Sequence, residues 1–249
     1  MTKRTFLSLH PSVRVLHPDY AQLAEFMDSL PERFARGEGQ PIHKGRNELR
    51  EFQVEGLACV VKSFHRPNWL NRIVYGFLRK SKARRSYEYA LMLRNLGIGS
   101  PTPVGYYTER RLGLFFGRSF YVCLRSPLPY NYIDILEHNL SPDDEKRYLQ
   151  AIARTTARLH NAGMVHLDYS HGNILFGPGA DGKPQVELID LNRIRFHHVG
   201  MEEGCRNFAD RLPTNMEQRR IVAEEYARLR GFDAEECLRM LTKAYECKD

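Results

Sequence analysis

The segment that most constrains this chain is VHLDYSHGNILFGPGADGKPQVELID, from Val165 to Asp190. Two short apolar runs, Ile174 to Phe176 and Val186 to Ile189, flank GPGADGKP, which has the turn residues of a hairpin. Asp168 and Asn173 precede the first run and Asp190 ends the second, so three oxygen-bearing side chains fall on loops around one small hairpin. A lone Asp or Asn in a glycine-containing loop is usually a turn former. The ordered set calls for a second reading.

That reading is phosphoryl transfer. The reaction needs a carboxylate near the acceptor hydroxyl and hard oxygen ligands for Mg²⁺, because the metal must neutralise phosphate oxygens. Asp168 is the candidate catalytic carboxylate, and Asn173 with Asp190 are the candidate metal ligands. The spacing His166, Asp168, Asn173 is H-x-D-x-x-x-x-N, and an acidic residue follows at the end of the next strand.

The remaining elements form around this hairpin in a definite order. Residues 18 to 36 have helical apolar spacing through Leu23, Phe26, Met27 and Leu30, with Pro31 expected to interrupt or shift the helix. Residues 48 to 64 contain two extended runs joined at Gly56, the second being LACVVKSF. A helix is expected over 82–96, stopped by Gly97, and strands near Val104 to Thr108 and Ser119 to Leu124, with ERRLGLFFGR as a turn-prone connection. Ser141, Pro142 and the acidic Asp143, Asp144 and Glu145 mark the start of a long helix that Gly163 ends. Its buried stripe is Tyr148, Leu149, Ile152, Ala153, Thr156 and Leu159. The tail, 215 to 230 and 233 to 247, reads as helix.

At this point the chain resembles the protein-kinase-like superfamily, and within it the bacterial lipopolysaccharide kinase (Kdo/heptose kinase, WaaP-type) family. The likeness covers roughly residues 42 to 232 and rests on HKGRN, RKSKARRSYEYA, GIGSPTPVGYY, HLDYSHGNILF and LIDLNR, in that order. The resemblance implies an α+β, bilobal fold in one domain spanning 1–249. It has a small β-rich N-lobe over about 1–124 and a mainly helical C-lobe with a short catalytic hairpin over about 125–249. It also implies ATP and Mg²⁺ as cofactors. Lys62 of CVVK would hold the phosphates, Glu88 of RSYEYA would fix Lys62, and Gly45 of HKGRN would lie in the loop over the phosphates. Departures from the pattern are Gly45 alone where protein kinases have three glycines, and Asp190-Leu191-Asn192 in place of D-F-G. No A-P-E sequence follows, and residues 191 to 249 are few for a peptide-docking lobe. A sugar acceptor fits better than a peptide.

Composition narrows the partners. The 249 residues are 42% hydrophobic and 27% charged, as in ordinary soluble proteins, with a formal charge of +7 that favours anionic partners. Lys62 to Arg85 alone carries eight Lys and Arg and no Asp or Glu. Within it Trp69, Leu70, Ile73, Val74 and Phe77 could form an apolar stripe beside the cations, the composition of an interfacial membrane helix. The alternative is a stripe packed on the N-lobe with a solvated basic face. Five scattered cysteines indicate neither a disulfide framework nor a zinc site, and the N-terminus lacks a signal peptide. The expectation is a cytoplasmic monomer that contacts the inner face of the cytoplasmic membrane peripherally, with no nucleic-acid partner. Its acceptor would be a glycolipid of lipopolysaccharide biosynthesis in a Gram-negative cell, phosphorylated on an inner-core Kdo or heptose. The alternatives are a bacterial Ser/Thr/Tyr protein kinase and a nucleotide-binding pseudokinase that serves as an interaction module.

Overall fold

The structure, a computed structural model, describes residues 12–45, 47–65, 80–111, 115–209 and 215–246. The chain divides into two compact units, Met1–Glu88 with Thr102–Arg125, and Tyr89–Pro101 with Ser126–Asp249.

The first unit is built on an antiparallel sheet. β1 (Val13–Leu16) leads through a 3₁₀ turn, Pro18–Leu23, into α1 (Ala24–Ala35). β2 (Gln40–Lys44), β3 (Glu48–Val54) and β4 (Leu57–Phe64) follow, then α2 (Lys82–Asn95), β5 (Pro103–Arg111) and β6 (Phe115–Leu124). The six strands lie in the order β1-β5-β6-β4-β3-β2. Phe26, Met27, Leu30 and Phe34 of α1 pack on Phe52, Cys59, Val61, Val104, Phe120 and Val122 of the sheet, and these residues form the core. Side chains alternate across a strand, so Lys62 projects from the face opposite the one that Cys59 and Val61 bury against α1.

Two local expectations are corrected here. Pro31 lies inside α1, and the helix continues to Ala35. Pro31 has no N–H to give the preceding turn, but the buried stripe on either side of it, Met27, Leu30 and Phe34, holds the helix on the sheet. The break falls earlier, at Tyr20, whose φ is −120° and ψ 27°. The connection expected between residues 109 and 118 is largely strand: β5 runs to Arg111 and β6 starts at Phe115. A register shift between Thr108 and Arg110 lets the Glu109 carboxylate accept the Arg118 amide at 2.9 Å. This is how a bulge continues a strand through polar sequence.

The second unit is mainly helical. β7 (Tyr130–Asn131) and α3 (Tyr132–Leu136) open it, and α3 is fixed by a capping box between Asn131 and Asp134. α4 (Pro142–Asn161) starts on Ser141, whose hydroxyl accepts the Asp144 amide at 3.2 Å. Its expected stripe, from Tyr148 to Leu159, is buried. β8 (Met164–His166), β9 (Ile174–Pro178), β10 (Pro184–Leu188) and β11 (Ile194–Phe196) make two small sheets, β10-β9-β7 and β11-β8. α5 (Met201–Ala209), α6 (Met216–Arg230) and α7 (Ala234–Glu246) complete it. The expected 215–230 and 233–247 helices correspond to α6 and α7, and α5 adds one that the sequence reading did not single out.

Gly99 shows how tightly β10 is held. Its carbonyl accepts the Leu188 amide at 2.9 Å, and a Cβ built on it would lie 1.9 Å from the Val186 carbonyl oxygen. Backbone cannot yield as a flexible side chain can, so Gly99→Ala is expected to lower stability by about 3 kcal/mol. Urea unfolding midpoints of the two proteins measure this.

Candidate active site

The geometry starts at β8. Ile194 pairs with His166 and Phe196 with Met164, and the Leu167 amide donates to the Arg193 carbonyl at 2.8 Å. The ladder therefore delivers Asp168 beside the segment that follows Asp190. The His166 imidazole is fully buried. Its Nδ1 accepts the Asp168 amide at 3.1 Å, and its Nε2 lies 3.0 Å from the Ile189 carbonyl. An amide can only donate and a carbonyl only accept, so the ring is the neutral Nε2–H tautomer. One buried ring thus ties the backbone of Asp168 to the residue before Asp190.

Asn173 closes the loop from the other side. Its Nδ2 donates to the Asp168 carbonyl at 2.8 Å and to the Ser170 hydroxyl at 3.1 Å, and its own carbonyl accepts the Ile189 amide at 3.0 Å. With Nδ2 so engaged, Oδ1 is the atom left to meet a cation. Asp190 sits in the left-handed region, φ 58° and ψ 42°, which Asp tolerates better than most residues. Asn192, itself buried, donates Nδ2 to Asp190 Oδ1. Leu191, in the position where protein kinases have Phe, is also buried.

The hydrogen bonds thus draw Asp168, Asn173 and Asp190 together. Among the described residues no cluster of three His, Cys, Asp or Glu marks a metal centre of the zinc type. The oxygen-only pair Asn173 and Asp190 fits a hard cation that takes few protein ligands and completes its shell with water and phosphate, as Mg²⁺ does. His171 opens the 3₁₀ turn His171–Asn173 and stacks on Tyr132, with ring centroids 5.6 Å apart and planes at 26°.

The other three expected site residues belong to the first unit. Lys62 pairs with Leu49 of β3 and Tyr121 of β6, and its ammonium lies 5.4 Å from the Phe64 ring centroid. Gly45 follows β2, its amide donating to the Asn47 carbonyl at 3.2 Å in the turn toward β3. Glu88 on α2 accepts from Lys80 Nζ and Arg84 Nε, each at 2.7 Å. Burial alone would raise its pKa, but the two cations outweigh it and hold the carboxyl below the usual Glu range. The apolar stripe from Trp69 to Phe77, with its expected membrane contact, lies outside the described residues. No described helix is long and apolar enough to cross a membrane.

Two buried histidines give the region a pH signature. Burial pushes His160 of α4 down to about 4, with Arg230 adding to it and Asn207 and Glu203 opposing, and burial lowers His166 too. Unfolded histidine titrates near 6.5, so below that pH the unfolded chain binds more protons than the folded one. Stability therefore falls as pH drops from 6.5 toward 4, and His160 alone should remove about 2 kcal/mol by pH 5. Denaturation midpoints at pH 7 and pH 5, for the native chain and for His160→Gln, check this. The substitution should shrink the difference.

Comparison with known proteins places the fold and the family. The chain is 24% identical over 210 residues to the 3-deoxy-D-manno-octulosonic acid kinase of Vibrio parahaemolyticus, covering 82% of this chain and 81% of that protein. Its fold superposes on WaaP, solved in complex with acyl carrier protein, with a TM-score of 0.64 and 18% identity over 95% of this chain and all of that one. The fold is therefore α+β and protein-kinase-like. Residues 38–230 match the sequence model of the Lipopolysaccharide kinase (Kdo/WaaP) family, and since that is well over half of the chain, this protein is a kinase that belongs to that family.

Proposed function

We propose that this kinase transfers the γ-phosphate of ATP to a hydroxyl of the Kdo sugar in the inner core of a lipopolysaccharide precursor, with Mg²⁺ as the metal. The observation that carries the reaction is the bracing of Asp168 and Asn173 by each other and, through His166 and Asn173, by the backbone of Ile189 just before Asp190. Asp168 orients the acceptor hydroxyl and takes its proton as the oxygen bonds to phosphorus and ADP leaves. Asn173 Oδ1 and Asp190 would hold the metal, whose charge stabilises the transferring phosphate. Lys62 is assigned to the phosphates, Glu88 to fixing Lys62, and Gly45 to the turn that covers the phosphates.

The choice of an acid sugar is supported by Arg193 and Arg195. Both are exposed, and among the described residues neither guanidinium meets a carboxylate. The Arg193 carbonyl is bonded to Leu167, next to Asp168. Two exposed cations at that place suit an acceptor carrying a carboxylate or phosphate. Heptose, the other inner-core sugar, lacks the carboxylate.

Mass spectrometry of reactions with Mg-ATP tests the proposal. Kdo-lipid A, a heptosylated acceptor and a generic protein substrate are compared. The expected result is a product one phosphate heavier with Kdo-lipid A. Turnover of protein alone, stoichiometric and dependent on Asp168, would replace the sugar reading.

A further inference from the structure

A chain of polar side chains from three helices, with Tyr226 and His160 buried and Asn207 half-buried, ends on the loop that carries Asp168. Tyr226 of α6 lies 2.8 Å from His160 Nδ1, and His160 Nε2 lies 3.2 Å from Asn207 Oδ1. Asn207 Nδ2 of α5 lies 3.1 Å from the His166 carbonyl. The direction of every bond follows from the last one. A carbonyl only accepts, so the Asn207 amide must present its NH₂ there and turn its oxygen toward His160. That oxygen only accepts, so His160 carries its proton on Nε2, and Nδ1 is left to accept from the Tyr226 hydroxyl. Burial keeps the Tyr226 phenol and the His160 imidazole neutral, as this arrangement requires.

A separate observation shows that the fold makes room for this chain. Gly204 stands inside α5, where glycine is disfavoured by about 1 kcal/mol relative to alanine. A Cβ there would lie 2.0 Å from the Tyr226 hydroxyl oxygen and 3.2 Å from His160 Nδ1. Any larger residue would displace the hydroxyl from the imidazole. The rings are fixed as well: Tyr226 meets His160 and Phe208 edge to face, with centroids 5.7 and 5.1 Å apart. Apolar residues of matching shape could fill this volume without any polar groups to satisfy. What they could not do is hold a main-chain carbonyl two residues before Asp168.

We propose that Tyr226, His160 and Asn207 are positioning residues for phosphoryl transfer, which act by fixing the His166 carbonyl and so the place of Asp168. This rests on the assignment of Asp168 in the proposed function. None of the three touches the reactants. Their effect is carried by the polarity of one hydrogen-bonded chain, in which the Tyr226 hydroxyl holds the His160 ring and His160 holds the Asn207 amide against the His166 carbonyl.

The experiment uses the full chain and the variants Tyr226→Phe, Asn207→Leu, their double, His160→Leu and His160→Gln. Glutamine can donate to Asn207 and accept from Tyr226, so it preserves the polarity, whereas leucine abolishes it. Tyr226→Phe is expected to lower the kcat of Mg-ATP turnover about tenfold, leaving KM for ATP nearly unchanged. Amide hydrogen exchange at Leu167 and Asp168 should quicken by a similar factor, while α4 and α6 stay protected. The double variant should be no worse than Asn207→Leu alone, since both cut one chain. His160→Gln should keep most of the activity that His160→Leu loses.

Unchanged exchange at Leu167 and Asp168 in Tyr226→Phe would overturn the proposal. So would faster exchange without a fall in kcat, additive effects in the double variant, or equal loss in the Gln and Leu variants. Hydrogen exchange needs no acceptor. A wild-type enzyme that ignores Kdo-lipid A would therefore defeat the proposed substrate while leaving the exchange measurement intact, and turnover would be read with whichever acceptor the enzyme uses.

Discussion

Asp168→Asn is expected to lower kcat for sugar phosphorylation by about 10²–10⁴ and to leave the fold in place. The magnitude is what general-base assistance contributes to a reaction of this kind. The preserved fold follows from how the loop is held. The bonds from His166 Nδ1 and Asn173 Nδ2 engage the amide and carbonyl of Asp168, so they survive a change of its side chain. Steady-state rates with Kdo-lipid A, together with thermal melting of both proteins, separate chemistry from stability. A variant that melts like the native chain yet turns over at the native rate would remove Asp168 from the mechanism.

The second large effect is expected at Asp190, and here two substitutions must be compared. Asp190→Asn keeps a side chain that tolerates the left-handed backbone at φ 58° and can still accept from Asn192 Nδ2. It removes only the negative charge, and Mg-dependent turnover should fall by about 10²–10³ or more. Asp190→Ala loses the same activity and in addition about 1 kcal/mol of stability, because alanine is strained at that backbone conformation. Equal stability of the two variants would contradict the backbone argument, and retained turnover in Asp190→Asn would contradict the metal assignment. Titration of Mg²⁺ against rate makes the comparison quantitative.

Elements with strong local signals were legible in the sequence. α4 carries a cap, a proline and three acids in its first turn, and its stripe is buried as the spacing predicts. The β3–β4 hairpin turns on Glu55 and Gly56, both with positive φ, in keeping with the tight two-residue turn that the two runs imply. α3 is too short for periodicity to register, although its capping pair Asn131 and Asp134 is a signal that could have found it. β8 and β11 owe their existence to pairing with each other across the intervening hairpin, which no local window contains.

The candidate site divides along the same line. Asp168, Asn173 and Asp190 are fixed by spacing within one segment, so the sequence could nominate them. Asn192 donates to Asp190 and so stiffens the loop, a contact that spacing alone does not reveal. The chain from Tyr226 to His166 was invisible because its members lie on three helices far apart in sequence. The single trace it left is a glycine at position 204, in the middle of MEEGCRNFA.

The central claim is that Asp168 serves phosphate transfer to Kdo. Mass spectrometry of Kdo-lipid A after incubation with Mg-ATP and either the native chain or Asp168→Asn tests it most directly. The expected product is an acceptor one phosphate heavier, with the phosphate on the Kdo residue by fragmentation, formed by the native chain and nearly absent with the variant. Unmodified Kdo-lipid A in both reactions, or equal phosphorylation in both, would contradict it.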